Sequence, residues 1–458
     1  MPEENTEELV ALATDAYVYG CPLVHGLSTV DDFMQTGIGP LPPTPFNRFA
    51  HSEQQASPRT ACVTVDHDTV HSVAHLDLSG GPLLLHVPDT DGAYYVLQFV
   101  DAWTNNFAYV GHRATGTAAG DWLVAPPGWS GGVPGTVRGV IDAPTSVVCV
   151  IGRNVCDGPD DMGRVRALQA QLTLTHVEPG THRTGLPAPD PDVPEPLRFF
   201  ERLRVWMADF PPSAADRAYQ DRFQPLGLLE EGPSPYVSVD HPALVHALTE
   251  GLARGRARVE EAGRSSAAGR GWEMDPHLFD YNLDHYGVGA LDSPQWRIED
   301  RESSYLTRAM VARTWLWGVH GYEAVYAHTL RDADGERLNG AHSYVLRLDR
   351  QPPVGAFWSM TMYDVPDHRL VGNPLGRYSI GDRTPGLVHG EDGSLTIHIR
   401  RERPADRAAA ANWLPAPDGD FRPVLALYEP GPEILDGVYE IPALERAGGG
   451  DGSGRTER

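Results

Sequence analysis

The period of the apolar positions changes along the chain. From Glu7 to Gly20 they recur at Leu9, Leu12, Ala13, Ala16 and Tyr17, the spacing of one helix face, and Gly20 with Pro22 supplies a stop. This predicts a leading helix within residues 1–30. From Ala61 to about Gly152 the pattern shifts to short β-branched and aromatic runs, Pro82 to Val87, Ala93 to Val100 and Ser146 to Ile151. Gly80-Gly81-Pro82, Pro126-Pro127-Gly128 and Gly131-Gly132 punctuate them. Many short strands with such turns predict an antiparallel sandwich or barrel over residues 31–160.

Helical spacing returns over residues 161–335, with candidates at Val165 to Leu174, Pro196 to Phe210, Pro242 to Glu261 and Ser304 to His328. The intervals Glu178 to Pro194 and Pro211 to Pro235 are rich in Pro and Gly and read as connections. Strand runs resume at His342 to Leu348, Ala356 to Tyr363, Leu395 to Arg400 and Arg422 to Tyr428, predicting a second β-rich domain over residues 336–445. The tail, 446–458, is dominated by Gly, Ser and charge and is expected to be disordered. The expected class is mainly β with a helical middle.

Composition then excludes partners. With 62 acidic against 37 basic residues the formal charge is −25, which repels phosphate backbones and anionic headgroups, so neither nucleic acid nor membrane is an expected partner. All the basic residues are arginine. Without lysine there is no Schiff-base nucleophile, no aldimine with pyridoxal phosphate, no phosphate-loop lysine and no serine–lysine dyad. Cys21, Cys62, Cys149 and Cys156 are too scattered for a disulfide framework, and Met-Pro-Glu-Glu at the start lacks the features of a secretory signal. A cytoplasmic address is expected. The H-E-x-x-H helix and the phosphate loop are missing.

The densest polar cluster is Asp66-His67-Asp68-Thr69-Val70-His71-Ser72-Val73-Ala74-His75. On a helix His67, His71 and His75 would stack with neighbours about 6 Å apart, close enough to share a metal. On a strand the same spacing separates neighbours by about 13 Å, which no single ion bridges. Val70, Ala74 and Leu76 alternate with the histidines, and the strand reading is preferred. A divalent ion then fits only at the strand's entrance, where Asp66, His67 and Asp68 adjoin, and would draw further ligands from His51 or His86. The alternative is that Asp68 and Thr69 pin the strand by backbone hydrogen bonds while the histidines are core or rim residues.

Several strings carry a family resemblance. They include Ala16-Tyr17-Val18-Tyr19-Gly20-Cys21-Pro22-Leu23, Phe46-Asn47-Arg48-Phe49 and Gly111-His112-Arg113-Ala114-Thr115-Gly116. In the second half stand Phe357-Trp358-Ser359-Met360-Thr361-Met362-Tyr363-Asp364 and Asn412-Trp413-Leu414-Pro415-Ala416-Pro417. Together they resemble the bacterial two-domain family that joins the domains of unknown function numbered 1254 and 1214. The resemblance implies an N-terminal jelly-roll-like β-sandwich, a helical connection, a second C-terminal β-rich domain and a homo-oligomer. At Asp66-His67, His71 and His75 this chain departs from the asparagines, tyrosine and tryptophan usual in that pattern.

The expected function is an enzyme of small-molecule metabolism, a lyase or hydrolase with no organic cofactor, whose pocket lies in the N-terminal sandwich. His71 or His67 is the expected general acid or base, oriented by Asp68, with Arg48 holding an anionic substrate. His51, His75, Trp103, Asn105 and Arg113 are the further candidates for substrate binding, and Arg59 and Asn106 lie beside them in sequence. Trp358, Tyr363, Arg377, Tyr378, Asn412 and Trp413 are candidates for a second pocket, with core packing the commoner use of such strand aromatics. The competing expectation is a non-catalytic binding or assembly protein that recognises a carbohydrate or a protein partner.

Overall fold

The computed structural model describes residues 3–60, 64–177, 185–238, 241–265 and 271–447. The chain forms two compact units: Met1–Gln55, Thr69–Ala268 and His277–His320 make the first, and Ala56–Asp68, Gly269–Pro276 and Gly321–Arg458 the second. A short excursion, Ala56–Asp68, therefore leaves the first unit and folds with the second.

The first unit opens on helix α1 (Glu3–Thr36), which runs through Gly20 and Pro22 instead of stopping there. Tertiary packing overrides the local signal. A Cβ at Gly20 would lie 2.5 Å from Leu203, so glycine is what lets that side chain close on the helix. Two sheets follow. Phe49–His51 (β1), Thr69–Asp77 (β2), Leu83–Val87 (β3), Tyr95–Asp101 (β4) and Asn106–Gly111 (β5) precede a single turn, α2 (His112–Thr115). Gly120–Ala125 (β6), Gly139–Asp142 (β7), Val147–Val155 (β8), α3 (Met162–Gln169) and Thr173–His176 (β9) complete them.

The orders β1-β2-β8-β4-β5 and β7-β6-β3-β9 make a jelly-roll-like sandwich. Its core joins Ala74, Leu76, Phe99 and Val150 of one sheet to Leu83, Leu85, Trp122 and Val124 of the other. The other face of the five-stranded sheet is covered as well: Val30 and Phe33 of α1 pack on Ala50, Val73, Val100, Cys149 and Ile151. β2 is thus apolar-packed on both sides, which is why its burial does not alternate.

Helices α4 (Arg198–Asp209), α5 (Arg217–Asp221), α6 (Pro242–Ser265) and α7 (Arg301–Thr314) complete this unit. Phe200, Leu203, Leu248, Tyr305 and Ala309 share one core with Ala16, Tyr17 and Leu23 of α1. The helical middle is part of the first unit rather than a separate body. Two expected helices end early. Residues 173–176 of the first are strand β9, paired with β3, because Thr173-Leu174-Thr175 suits a sheet edge. The second stops at Thr314, and Leu316 takes a left-handed φ of 50° that no helix continues through.

The second unit carries Ala324–His328 (β10), Tyr344–Leu348 (β11), Val354–Asp364 (β12), Ser379–Gly381 (β13), Leu395–Arg400 (β14), Trp413–Pro415 (β15), Phe421–Pro430 (β16) and Glu445–Arg446 (β17). Its sheets, β10-β16-β12-β13 and β15-β14-β11-β17, enclose Met360, Met362, Leu425 and Leu427 against Leu346, Leu348, Ile397 and Ile399. Arg446, placed in the expected tail, pairs in β17 with Tyr344 and meets Asp332 at 2.8 Å. The rest of the expected disorder, 448–458, lies outside the described residues. Among the described residues no helix is long and apolar enough to cross a membrane.

Candidate functional site

The polar run expected to form one site is divided at Asp68. Strand β2 begins at Thr69, so His71 and His75 belong to the first unit, whereas Asp66, His67 and Asp68 close the excursion that folds with the second.

Strand β12 explains where the excursion lands. Trp358, Met360 and Met362 point into the apolar core, which leaves Ser359, Thr361 and Tyr363 on the opposite face. The excursion is tied down on that side. The Tyr363 hydroxyl donates to the Val65 carbonyl at 2.8 Å, the Thr64 amide to the His368 carbonyl at 2.8 Å, and Arg422 Nη2 to Thr64 Oγ1 at 2.8 Å. Ala56 and Val65 pack with Tyr363, Leu370 and Val424.

Asp66 Oδ1 accepts from the Asp68 amide at 2.8 Å and its Oδ2 from the Tyr428 hydroxyl at 2.8 Å. The first of these is the turn-forming bond short acidic side chains favour. It aims Asp68 inward. There the Asp68 carboxyl, 7% exposed, accepts from the Ser359 hydroxyl and, at 3.4 Å, from Ser379, with Arg383 Nη2 at 3.8 Å. The Arg383 guanidinium is itself seated 4.0 Å from the Phe357 ring centre. Burial, and then the charge of Asp66, push the Asp68 carboxyl up to about 6, against the lowering effects of Ser359, Arg383 and His67. His67 Nδ1 lies 2.8 Å from the Ala56 carbonyl and so carries the proton, and the ring meets Tyr378 edge-on at 5.1 Å.

His75 has the opposite fate. It is 1% exposed, with Phe33 at 4.7 Å and Trp317 at 5.6 Å between ring centres. Its Nδ1 meets Cys149 Sγ at 3.2 Å, and among the described residues its Nε2 has no hydrogen-bond partner. Burial pushes its pKa down to about 3. The alternation along β2 puts His71 and His75 on one side of the strand, which a pocket there would need to leave open to a cavity or solvent. At His75 that side is closed, because α1 covers that face of the sheet.

Comparison with known proteins gives a family but no activity. Residues 46–176 match the model "Protein of unknown function (DUF1254)" and residues 323–432 match "Protein of unknown function (DUF1214)". The chain belongs to the two-domain family that joins them. It is similar in fold to the crystal structure of the VPA0106 protein from Vibrio parahaemolyticus, at 24% identity and a TM-score of 0.74, covering 96% of this chain and 100% of that one. An uncharacterized protein from Burkholderia cenocepacia aligns at 9% identity over 98% of this chain and 89% of that one, with a TM-score of 0.41 that carries no argument. No curated protein matches the chain. Within this DUF1254–DUF1214 chain the excursion lies inside the DUF1254 match yet packs on strands of the DUF1214 match.

The remaining candidates scatter. His71, half-buried, stands opposite Arg153 in the β2–β8 ladder, and its carbonyl accepts from the Ser52 amide at 2.9 Å. His51 Nδ1 contacts Ser72 Oγ at 2.9 Å, and burial lowers its pKa. Arg48 is exposed in a groove with Asp31, Phe46 and His176. Arg113 donates to the Gly289 carbonyl and lies 6.0 Å from the Tyr109 ring. Trp103 and Asn105 line a different cleft of the first unit. His86 pairs with Asp121 at 2.7 Å. Among the described residues no three His, Cys, Asp or Glu side chains converge as metal ligands do.

The second expected pocket is largely core: Trp358 donates to Gln351 at 3.1 Å, Trp413 to the Arg400 carbonyl at 2.7 Å, and Asn412 to the Val388 carbonyl at 2.6 Å. Arg377 serves the Ala411 and Trp413 carbonyls at 2.9 and 3.0 Å. Of that set Tyr363, through the Val65 carbonyl, and Tyr378, through His67, reach the acidic corner. Ser359, Ser379, Arg383 and Tyr428 were not singled out from sequence. The polar alternation Ser359, Thr361 within an otherwise apolar strand was the available signal for the first. Arg383 had none.

Proposed function

We propose that the chain is an enzyme of small-molecule metabolism, acting in the cytoplasm as a hydrolase or lyase, with Asp68 as its general acid and base. One observation carries the reading: a buried carboxyl, held by the Ser359 hydroxyl, beside a half-buried guanidinium, has its titration moved to the neutral range where proton transfer in both directions is efficient. His67, its Nδ1 fixed on the Ala56 carbonyl, is the imidazole nearest to Asp68 in the chain. Arg383 takes over the role expected of Arg48, engaging an anionic group of the substrate through its planar fork. The free, buried Cys21, Cys149 and Cys156 accord with a reducing compartment. Assembly as a homo-oligomer belongs to the same proposal and rests on the family resemblance.

The test is untargeted. Wild type and Asp68→Asn are incubated with a metabolite extract, and consumption is followed by mass spectrometry. A component consumed by wild type alone, with a rate inflection near pH 6, supports the reading. A carboxyl general acid or base typically contributes about 10²-fold or more. Equal consumption by both proteins overturns the role given to Asp68, and consumption by neither overturns the enzyme reading in favour of a binding role.

A further inference from the structure

The cleft that holds Trp103 and Asn105 lies wholly within the first unit, with a cavity of about 80 Å³ that opens to solvent. Arg308 of α7 lines it and is 5% exposed, between the rings of Trp103 at 5.7 Å and Tyr281 at 5.8 Å. Among the described residues Arg308 donates no hydrogen bond, and its Nε is fully buried. The donors around it are spent. Trp103 Nε1 donates to the Phe210 carbonyl at 2.9 Å, the Tyr281 hydroxyl to the Thr104 carbonyl at 3.1 Å, and the Asn105 amide to Asp101 at 2.9 Å. Arg301 is committed to Asp216 and Asp284, and the Tyr305 hydroxyl to Asp216 at 2.5 Å. A guanidinium offers five donors in a plane, and burying it with none used is costly unless an acceptor arrives from outside.

We infer that this cleft is a binding site for a small monocarboxylate with an aromatic or apolar body, its carboxylate received by Arg308. The fork geometry matches a planar carboxylate. Trp103, Tyr281, Pro144, Pro211 and Pro212 in the lining suit the body of the ligand. The charge count sets the selectivity. Asp101, Asp216 and Asp284 also line the cleft, and each is already held, Asp101 by the Trp103 and Asn105 amides at 2.9 Å. One negative charge is accommodated at Arg308. A second would face those carboxylates, so a dianion or phosphate is disfavoured. This site does not depend on chemistry at Asp68.

The experiment titrates the full chain with sodium benzoate, sodium succinate and inorganic phosphate at constant ionic strength, by calorimetry and by shift of the melting temperature. Benzoate is expected to bind saturably in the millimolar range or tighter, ahead of succinate and phosphate. Arg308→Met, which keeps the apolar stem between the two rings, is expected to abolish binding, and Arg308→Lys to weaken it roughly tenfold through loss of the fork. No saturable binding of benzoate overturns the site, as does equal binding by wild type and Arg308→Lys. Tighter binding of phosphate than of benzoate overturns the ligand class. Should Arg308→Met not fold, Arg308→Lys decides alone.

Discussion

Asp68 and His75 lie near each other in sequence, both polar and both buried, yet burial acts on them in opposite surroundings. Asp68 is met by two hydroxyls and a guanidinium, and still its carboxyl is pushed up, because desolvation outweighs those partners. His75 is met by ring edges and a thiol, and its imidazole is pushed down with nothing to oppose the shift. In each case the neutral form is favoured. What distinguishes a site from a core residue here is the set of partners already arranged for the charged form, which Asp68 has and His75 lacks.

The pH dependence must therefore run in opposite senses, and this gives the sharpest tests. The largest effect is expected at His75. Its folded pKa is depressed, so its contribution is complete above its ordinary value of 6.5 and is lost as pH falls toward 3. Against His75→Phe, wild type should lose on the order of 3 kcal/mol between pH 7 and pH 4 in urea unfolding. At pH 7, His75→Ala should cost about 3 kcal/mol by opening a cavity beneath α1, and His75→Phe no more than about 1. A neutral His75→Ala would break the contrast by showing that the ring is not packed.

Next in size is Asp68→Asn. The folded pKa of Asp68 is raised, so stability from its protonated form is full below 3.8 and is lost as pH rises through about 6. The variant should be more stable than wild type by about 2 kcal/mol at pH 8, after the loss of the Arg383 contact is offset, and equal to it below about pH 4. A destabilised variant at pH 8 would mean that the ion pair dominates. Smaller again is Tyr428→Phe, which removes one hydrogen bond to Asp66 and should cost about 1 kcal/mol. Arg48→Ala, exposed in its groove, should change the unfolding midpoint by less than about 0.5 kcal/mol in equivalent terms. A larger loss would return Arg48 to consideration as part of a built site.

Much of the architecture is legible without coordinates. The runs Leu395 to Arg400 and Arg422 to Tyr428 are strands because β-branched and aromatic residues alternate between clear breakers, and Pro196 to Phe210 is helical because its apolar residues keep a helical period. Errors fall where two periods compete over a few residues, as at Thr173–His176 and Ala324–His328. There a neighbouring strand with an open edge decides the outcome, and no local pattern encodes that edge.

By itself, then, the sequence determined the period-governed elements, the two β-rich ends with a helical middle, and the chemistry closed to a chain without lysine, because these depend on neighbours in the chain or on composition alone. Only the tertiary structure decided that α1 passes through Gly20 and Pro22, that it lies over the histidine face of β2, and that Asp66 to Asp68 fold with Ser359, Arg383 and Tyr428. Burial and pairing depend on what arrives from hundreds of residues away. A strand's alternation states that it has two faces, but not what will cover each of them.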